Sequence, residues 1–211
     1  MQTIVHARAF LRFARLPAKE EFTLIDCGCA LGEALQLIAE KYPRARLTGI
    51  DLSSMAITRC QSEHPGLAHF EVRRIENLEK TYDVAYASNI LEHFVDFKTV
   101  ARGLMRHCRR AYIIVPFMET HNGQPLSPNP TNHHQHSFDR QSFDFLVSEG
   151  LAATVESRVI ACPHVWSWSL RTLIIQNIFK NPIRLILGKP IARNPMKVLF
   201  NVSREAGRRT L

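Results

Sequence analysis

The run Phe22-Thr-Leu-Ile-Asp-Cys-Gly-Cys-Ala-Leu-Gly-Glu-Ala-Leu35 constrains this chain more than any other. Leu24-Ile25 reads as a short buried strand that ends at an acid, Asp26. Small residues follow at alternate positions, Gly28, Ala30 and Gly32. Glu33 to Lys41 then has helical composition, with Leu35, Ile38 and Ala39 able to share a face. The run is therefore a strand, a small-residue turn and a helix. Little side chain stands in such a turn, so backbone can approach a ligand closely. The helix start adds N–H groups that lack intrahelical partners. A dinucleotide site asks for G-x-G-x-x-G at this place, and the spacing here does not fit it.

The pattern continues. Ala45 to Asp51 reads as a second strand ending in an acid, about 20 residues beyond the turn, where nucleotide-binding α/β folds place a ribose ligand. Ser53 and Ser54 offer caps for a helix through Met55, Ile57 and Cys60. His69 to Arg73 alternates as a third strand. Tyr82 to Phe94 reads as a fourth strand, a turn and a helix start. Arg109 to Pro116 is a fifth strand, with Pro116 ending its ladder. Phe117 to Arg140 is a long loop rich in Pro, Asn and His, and long ordered loops usually carry function. It holds His121, His133, His134 and His136. No Cys or paired acid completes a ligand set with them, so no metal is expected. A helix is expected over 136–150, capped by Ser137 or Asp139. Ala152 to Ile160 is then a strand, one of a closing antiparallel pair.

Asp26-x-Gly28-x-Ala30-x-Gly32 resembles the first motif of the class I S-adenosylmethionine-dependent methyltransferases, with Ala30 where the family has Gly. The run Tyr82-Asp-Val-Ala-Tyr-Ala-Ser-Asn-Ile-Leu-Glu-His-Phe94 resembles a second family segment. Arg74 to Leu78 resembles a third, with Arg74 where an Asp is common. The resemblance covers roughly residues 20–160. It implies an α/β fold: a Rossmann-like, mostly parallel seven-stranded sheet with helices on both faces. It implies S-adenosyl-L-methionine as cofactor and S-adenosyl-L-homocysteine as product. The implied cofactor-binding set is Asp26, Gly28, Ala30, Gly32, Asp51, Leu52, Ile75, Glu76, Ser88 and Asn89. Glu92 and His93 fall at the mouth where the methyl acceptor enters. An oxygen or nitrogen acceptor must lose a proton, and an imidazole suits that work. His93 is the expected base, with Glu92, His121 and His136 as further catalytic candidates.

Charge is unevenly spread. The chain carries a net +8, and all of it resides in residues 171–211, so the first 170 residues sum to zero. Residues 1–162 are expected to form the methyltransferase domain. Residues 163–211 are expected to form a basic, apolar, helical extension, either packed over the active site or lying in a membrane interface. Trp166, Trp168 and the interspersed Lys and Arg suit an interface, and the segment is too polar to span a bilayer. The basic excess points to an anionic partner. The first-choice acceptor is a small-molecule or lipid-linked compound, a sugar hydroxyl among the options. An RNA acceptor and a non-catalytic scaffold that binds S-adenosylmethionine are the alternatives. Five scattered cysteines read as reduced thiols. Residues 1–15 make a poor signal peptide and a better amphipathic lead-in helix. The expected location is the cytoplasm, with peripheral contact at the inner membrane face as an option.

Overall fold

The computed structural model describes residues 2–118, 120–121, 124–125, 133–161 and 196–205. The lead-in helix α1 spans Gln2–Phe13. β1 (Phe22–Cys27), α2 (Glu33–Lys41), β2 (Ala45–Asp51), α3 (Ser54–Glu63) and β3 (His69–Val72) follow. Then come β4 (Tyr82–Ser88), α4 (Phe97–His107) and β5 (Cys108–Pro116), with single 3-10 turns at Ile75–Asn77 and Leu91–His93. β6 (Thr120–His121) and β7 (Gln124–Pro125) pair in the long loop. α5 (Phe145–Ser148), β8 (Thr154–Ala161) and β9 (Met196–Ser203) complete the described elements.

Seven strands form one sheet in the order β3-β2-β1-β4-β5-β9-β8. The first five are mutually parallel, and β9 runs antiparallel to both its neighbours. Parallel neighbours force crossover helices, which cover both faces. Leu24, Tyr86, Tyr112 and Leu199 face α1, α2 and α3. Ile25, Ala85, Ala87, Ile113 and Phe200 face α4, α5 and the two 3-10 turns. Local chemistry starts the helices: the Ser53 hydroxyl accepts from Ala56 N, and the Asp96 carboxylate accepts from Thr99 N.

Two expectations need correction. Residues 196–203 were assigned to the helical extension by the tail's overall charge and apolarity. They form β9, between β5 and β8. The reason is alternation: Val198, Phe200 and Val202 pack on one face while Leu199 packs on the other. The rest of the extension, with Trp166 and Trp168, lies outside the described residues. The helix expected over 136–150 shrinks to α5. The Asp139 carboxylate accepts from Gln141 N and from Ser142 Oγ, which makes a side-chain turn instead of a helix cap. Among the described residues no helix is long and apolar enough to cross a membrane.

Candidate active site

The carboxyl ends of β1, β2 and β4 open into one cavity of about 310 Å³. This is where a parallel sheet with crossover helices binds ligands. The small-residue turn forms its floor. Gly28 N and Cys29 N both donate to Ile50 O, at 2.8 and 2.9 Å, which folds the turn against the end of β2. Gly28 has φ +80°, where an L side chain is strained, and a Cβ there would also press on Ile90 Cδ1 at 2.7 Å, so glycine is favoured. Ala30 also sits in the left-handed region, at φ 49°. Gly32, at φ 82°, precedes the first residue of α2.

Asp51 ties the turn to β2. Its Oδ2 accepts from Ala30 N at 3.0 Å, and its Oδ1 accepts from Ser53 N at 2.9 Å. Each oxygen keeps further acceptor capacity toward the cavity. Asp26 shares a sheet face with Phe22 and Leu24, and its Oδ2 is buried with no partner among the described residues. Burial, then the nearby Asp51 and Glu33, push its carboxyl up to about 8. Ser88 and Asn89 line the same cavity. Asn89 has φ 55°, and its Oδ1 accepts from Lys197 Nζ at 2.8 Å.

Two groups at this site, His6 and Lys197, carry no local signal in the sequence. His6 and Thr3 of α1 close the cavity from above. His6 Nδ1 lies 2.9 Å from Ser88 Oγ, and its Nε2 is buried without a partner among the described residues. Burial, then the charge of Lys197, pull the imidazole down to about 4, so it is neutral at pH 7. A helix ahead of the first motif carries no spacing signal toward the turn, so sequence gave no handle on His6. Lys197 was read as tail charge, and only its place in β9 brings it to Asn89.

Other expected residues sit elsewhere. Leu52 is exposed, at the rim of a second cavity of about 520 Å³ that Val72, Arg73 and Arg74 also line. Ile75 is buried in the core, which leaves only its backbone for a ligand. Glu76 pairs with Arg74 at 3.0 Å, so the residue replacing the usual acid is neutralised by its neighbour.

Beyond Asn89, the turn Leu91–His93 meets the loop that resumes at His133. Gln135 N donates to Glu92 O at 2.7 Å, and this bond pins the loop to the turn. Glu92 is fully buried. Glu92, His93 and His134 bring one ligand atom each to within 4.8 Å of one another, so this set can hold an ion or an acceptor oxygen. Burial, opposed by a bond to the His133 carbonyl, holds the His93 imidazole below its usual range. His136 is spent on structure: its Nε2 contacts Val95 O at 2.9 Å, and its ring meets Phe97 edge-on. His121 lies in β6, and its side chain is outside the described residues. Cys27, Cys29, Cys60 and Cys108 are free and buried. Burial raises each of them, so they remain thiols. Cys162 lies outside the described residues.

Residues 25–111 match the model of a methyltransferase domain family. A trans-aconitate 2-methyltransferase of Azoarcus sp. (strain BH72) is 25% identical over 113 residues, 53% of this chain and 45% of the relative. A malonyl-[acyl-carrier protein] O-methyltransferase of Bacillus anthracis is 26% identical over 97 residues, 44% of this chain and 36% of the relative. The matched stretch thus spans less than half of either relative's length. Among solved structures, the plantazolicin methyltransferase BamL, in complex with a triazolic desmethylPZN analog and SAH, superposes with a TM-score of 0.59 at 16% identity. That match covers 97% of this chain and 85% of the other. At that identity the likeness is one of fold.

Proposed function

We propose that this chain, which belongs to the class I S-adenosylmethionine-dependent methyltransferase family, binds S-adenosylmethionine in the cavity below α1. We further propose that it directs methyl transfer to an oxygen of a small-molecule acceptor. The observation that carries the reading is the pairing of a glycine-type left-handed turn with two acids, Asp26 and Asp51, around a single cavity. When bound, the cofactor supplies an electrophilic methyl group on a sulfonium and is left as S-adenosylhomocysteine.

The chain's own residues bind and align. Asp51 retains acceptor capacity on both oxygens, which suits a ribose diol. Gly28 leaves room for backbone approach. Asp26 meets an ammonium group as its counter-ion, and His6 Nε2 adds a second polar contact from above. Alignment of this kind lowers a barrier by several kcal/mol, up to about 7–11 in well-oriented systems.

Acid acceptors fit the far end best. The two curated relatives act, by name, on trans-aconitate and on a malonyl group. In this chain Lys197 and two histidines supply polar groups beyond Asn89, beside the buried Glu92. A carboxylate acceptor carries no proton to remove, so the need for His93 as a base falls away. His93 then serves to place the acceptor. Part of the tail's basic excess is used in this way at Lys197, and the five Lys and Arg of residues 163–195 support an anionic partner or surface for that stretch.

Titration calorimetry of the full chain with S-adenosylmethionine and S-adenosylhomocysteine tests the cofactor. Micromolar binding that Asp51→Ala weakens at least tenfold is expected, and no binding would sink the proposal. Incubation with methyl-labelled cofactor and a panel of small polycarboxylates tests the acceptor. Methyl esters release labelled methanol in base. Label that survives base treatment would point to an ether or amine instead.

A further inference from the structure

The geometry points to a divalent cation site formed by Glu92, His93 and His134, at which a first-row transition-metal ion holds the oxygen of the methyl acceptor. The inference rests on the proposed reading for the acceptor, but the ion site itself stands on three observations.

The first is the donor set. One atom from each of the three side chains lies within 4.8 Å of the other two. Donors bound at about 2.1 Å to a shared ion sit roughly 3–4 Å apart, so the set lies close to the spacing an ion needs. Two imidazoles and one carboxylate suit first-row divalent ions better than Ca²⁺ or Mg²⁺, and three protein ligands leave positions open for an incoming oxygen. The second is the outer contact. Nδ1 of His93 faces the His133 carbonyl oxygen at 3.4 Å. A carbonyl can only accept, so this contact favours the tautomer with the proton on Nδ1 and the lone pair on Nε2. Ligating histidines are fixed by such a bond from the other nitrogen. The third is the framework. The Gln135 N to Glu92 O bond clamps the two segments together. His133 takes φ 58°, a left-handed conformation uncommon for such a residue, at the bend that brings His134 beside His93. The two rings meet with centroids 5.1 Å apart at 69°.

The test is Co²⁺ titration of the full chain followed by visible absorption, with Mn²⁺ by equilibrium dialysis as a second probe. His134→Ala and Glu92→Gln are compared with His69→Ala, a surface control. One Co²⁺ per chain is expected, with affinity reduced at least tenfold in His134→Ala and Glu92→Gln and unchanged in His69→Ala. S-adenosylhomocysteine binding by calorimetry should survive His134→Ala, which reports a folded chain. Absence of stoichiometric ion binding in the native chain overturns the site, as does native affinity in His134→Ala. Ion binding without S-adenosylhomocysteine binding would leave the ion site standing and sink the methyltransferase reading instead.

Discussion

Nδ1 of His6 lies 2.9 Å from Ser88 Oγ and thereby joins the lead-in helix to the end of β4, 82 positions further along the chain. The contact leaves Nε2 buried at the cavity. His6→Ala is expected to weaken S-adenosylhomocysteine binding about tenfold, the scale of one buried hydrogen bond. Calorimetry that finds equal affinity would remove His6 from the site. The same residue sets an acid limb on stability. Its pKa falls from 6.5 to about 4 on folding. Between those values the unfolded chain binds the proton and the folded chain does not. Stability therefore declines as pH drops from 6.5 towards 4, by at most about 3 kcal/mol. His6→Ala should flatten that part of a denaturation series.

Asp26 works in the opposite sense. Its folded pKa is raised from 3.8 to about 8. The folded chain without cofactor holds this proton at pH 7 while the unfolded chain has lost it, so Asp26 costs increasing stability as pH climbs from 3.8 to 8. An ammonium group arriving beside it favours ionisation. Binding of S-adenosylmethionine at pH 7 should then release close to one proton. Calorimetry in buffers of different ionisation enthalpy measures this directly. Asp26→Asn should abolish the release, weaken the cofactor and stabilise the free chain above pH 8. Identical apparent enthalpies across buffers in the native chain would refute the assignment.

The parallel half of the fold was legible because each of its strands announces itself locally. Leu24-Ile25 ends at an acid, Ala45 to Asp51 ends at another, and the turn between β1 and α2 is spelled out by three small residues. The order of those strands follows from crossover geometry. β9 was harder to read. Its period-2 pattern is only eight residues long and sits in a tail whose charge dominates any average. At the site, the small-residue turn and the acid about 20 residues on drew attention to Gly28 and Asp51, and both line the cavity below α1. His6 and Lys197 carried no such signal, because each reaches the cavity or its mouth through helix packing or sheet closure that no local pattern encodes; His134 was legible only as one of four histidines in a loop expected to carry function. Arg74 shows the reverse case: its departure from the family acid was visible, and its neutralisation by Glu76 was not.

Ala30 holds a left-handed conformation, φ 49°, that costs an L-residue roughly 1–2 kcal/mol. Glycine relieves that cost but adds freedom to the unfolded chain worth about 0.5–1 kcal/mol. Ala30→Gly should thus leave the melting temperature equal or a few degrees higher, with S-adenosylhomocysteine affinity within twofold of native. Ala30→Val places a branched side chain at positive φ and should destabilise by roughly 2 kcal/mol. The two substitutions moving thermal stability in the same direction would mean the turn is not under backbone strain.

The lid over the cavity depends on one ring. Phe10 of α1 is fully buried and packs against Tyr86 and Tyr112, each with a centroid separation of 4.9 Å. Tyr86 also lines the cavity, so the ring that anchors α1 touches the wall that His6 covers. Phe10→Ala removes aromatic packing and leaves a void, at a cost of about 3–5 kcal/mol. Phe13, the other aromatic of α1 packed against this cluster, is only partly buried, so Phe10 is the deeper anchor. Its loosening should weaken S-adenosylhomocysteine binding as well as the fold, and Phe10→Leu should recover most of both. Hydrogen exchange separates the two effects. Residues 2–13 should lose protection in Phe10→Ala well before β4 and β5 do. Uniform loss across the sheet would show that α1 is part of the global core and not a separately released lid.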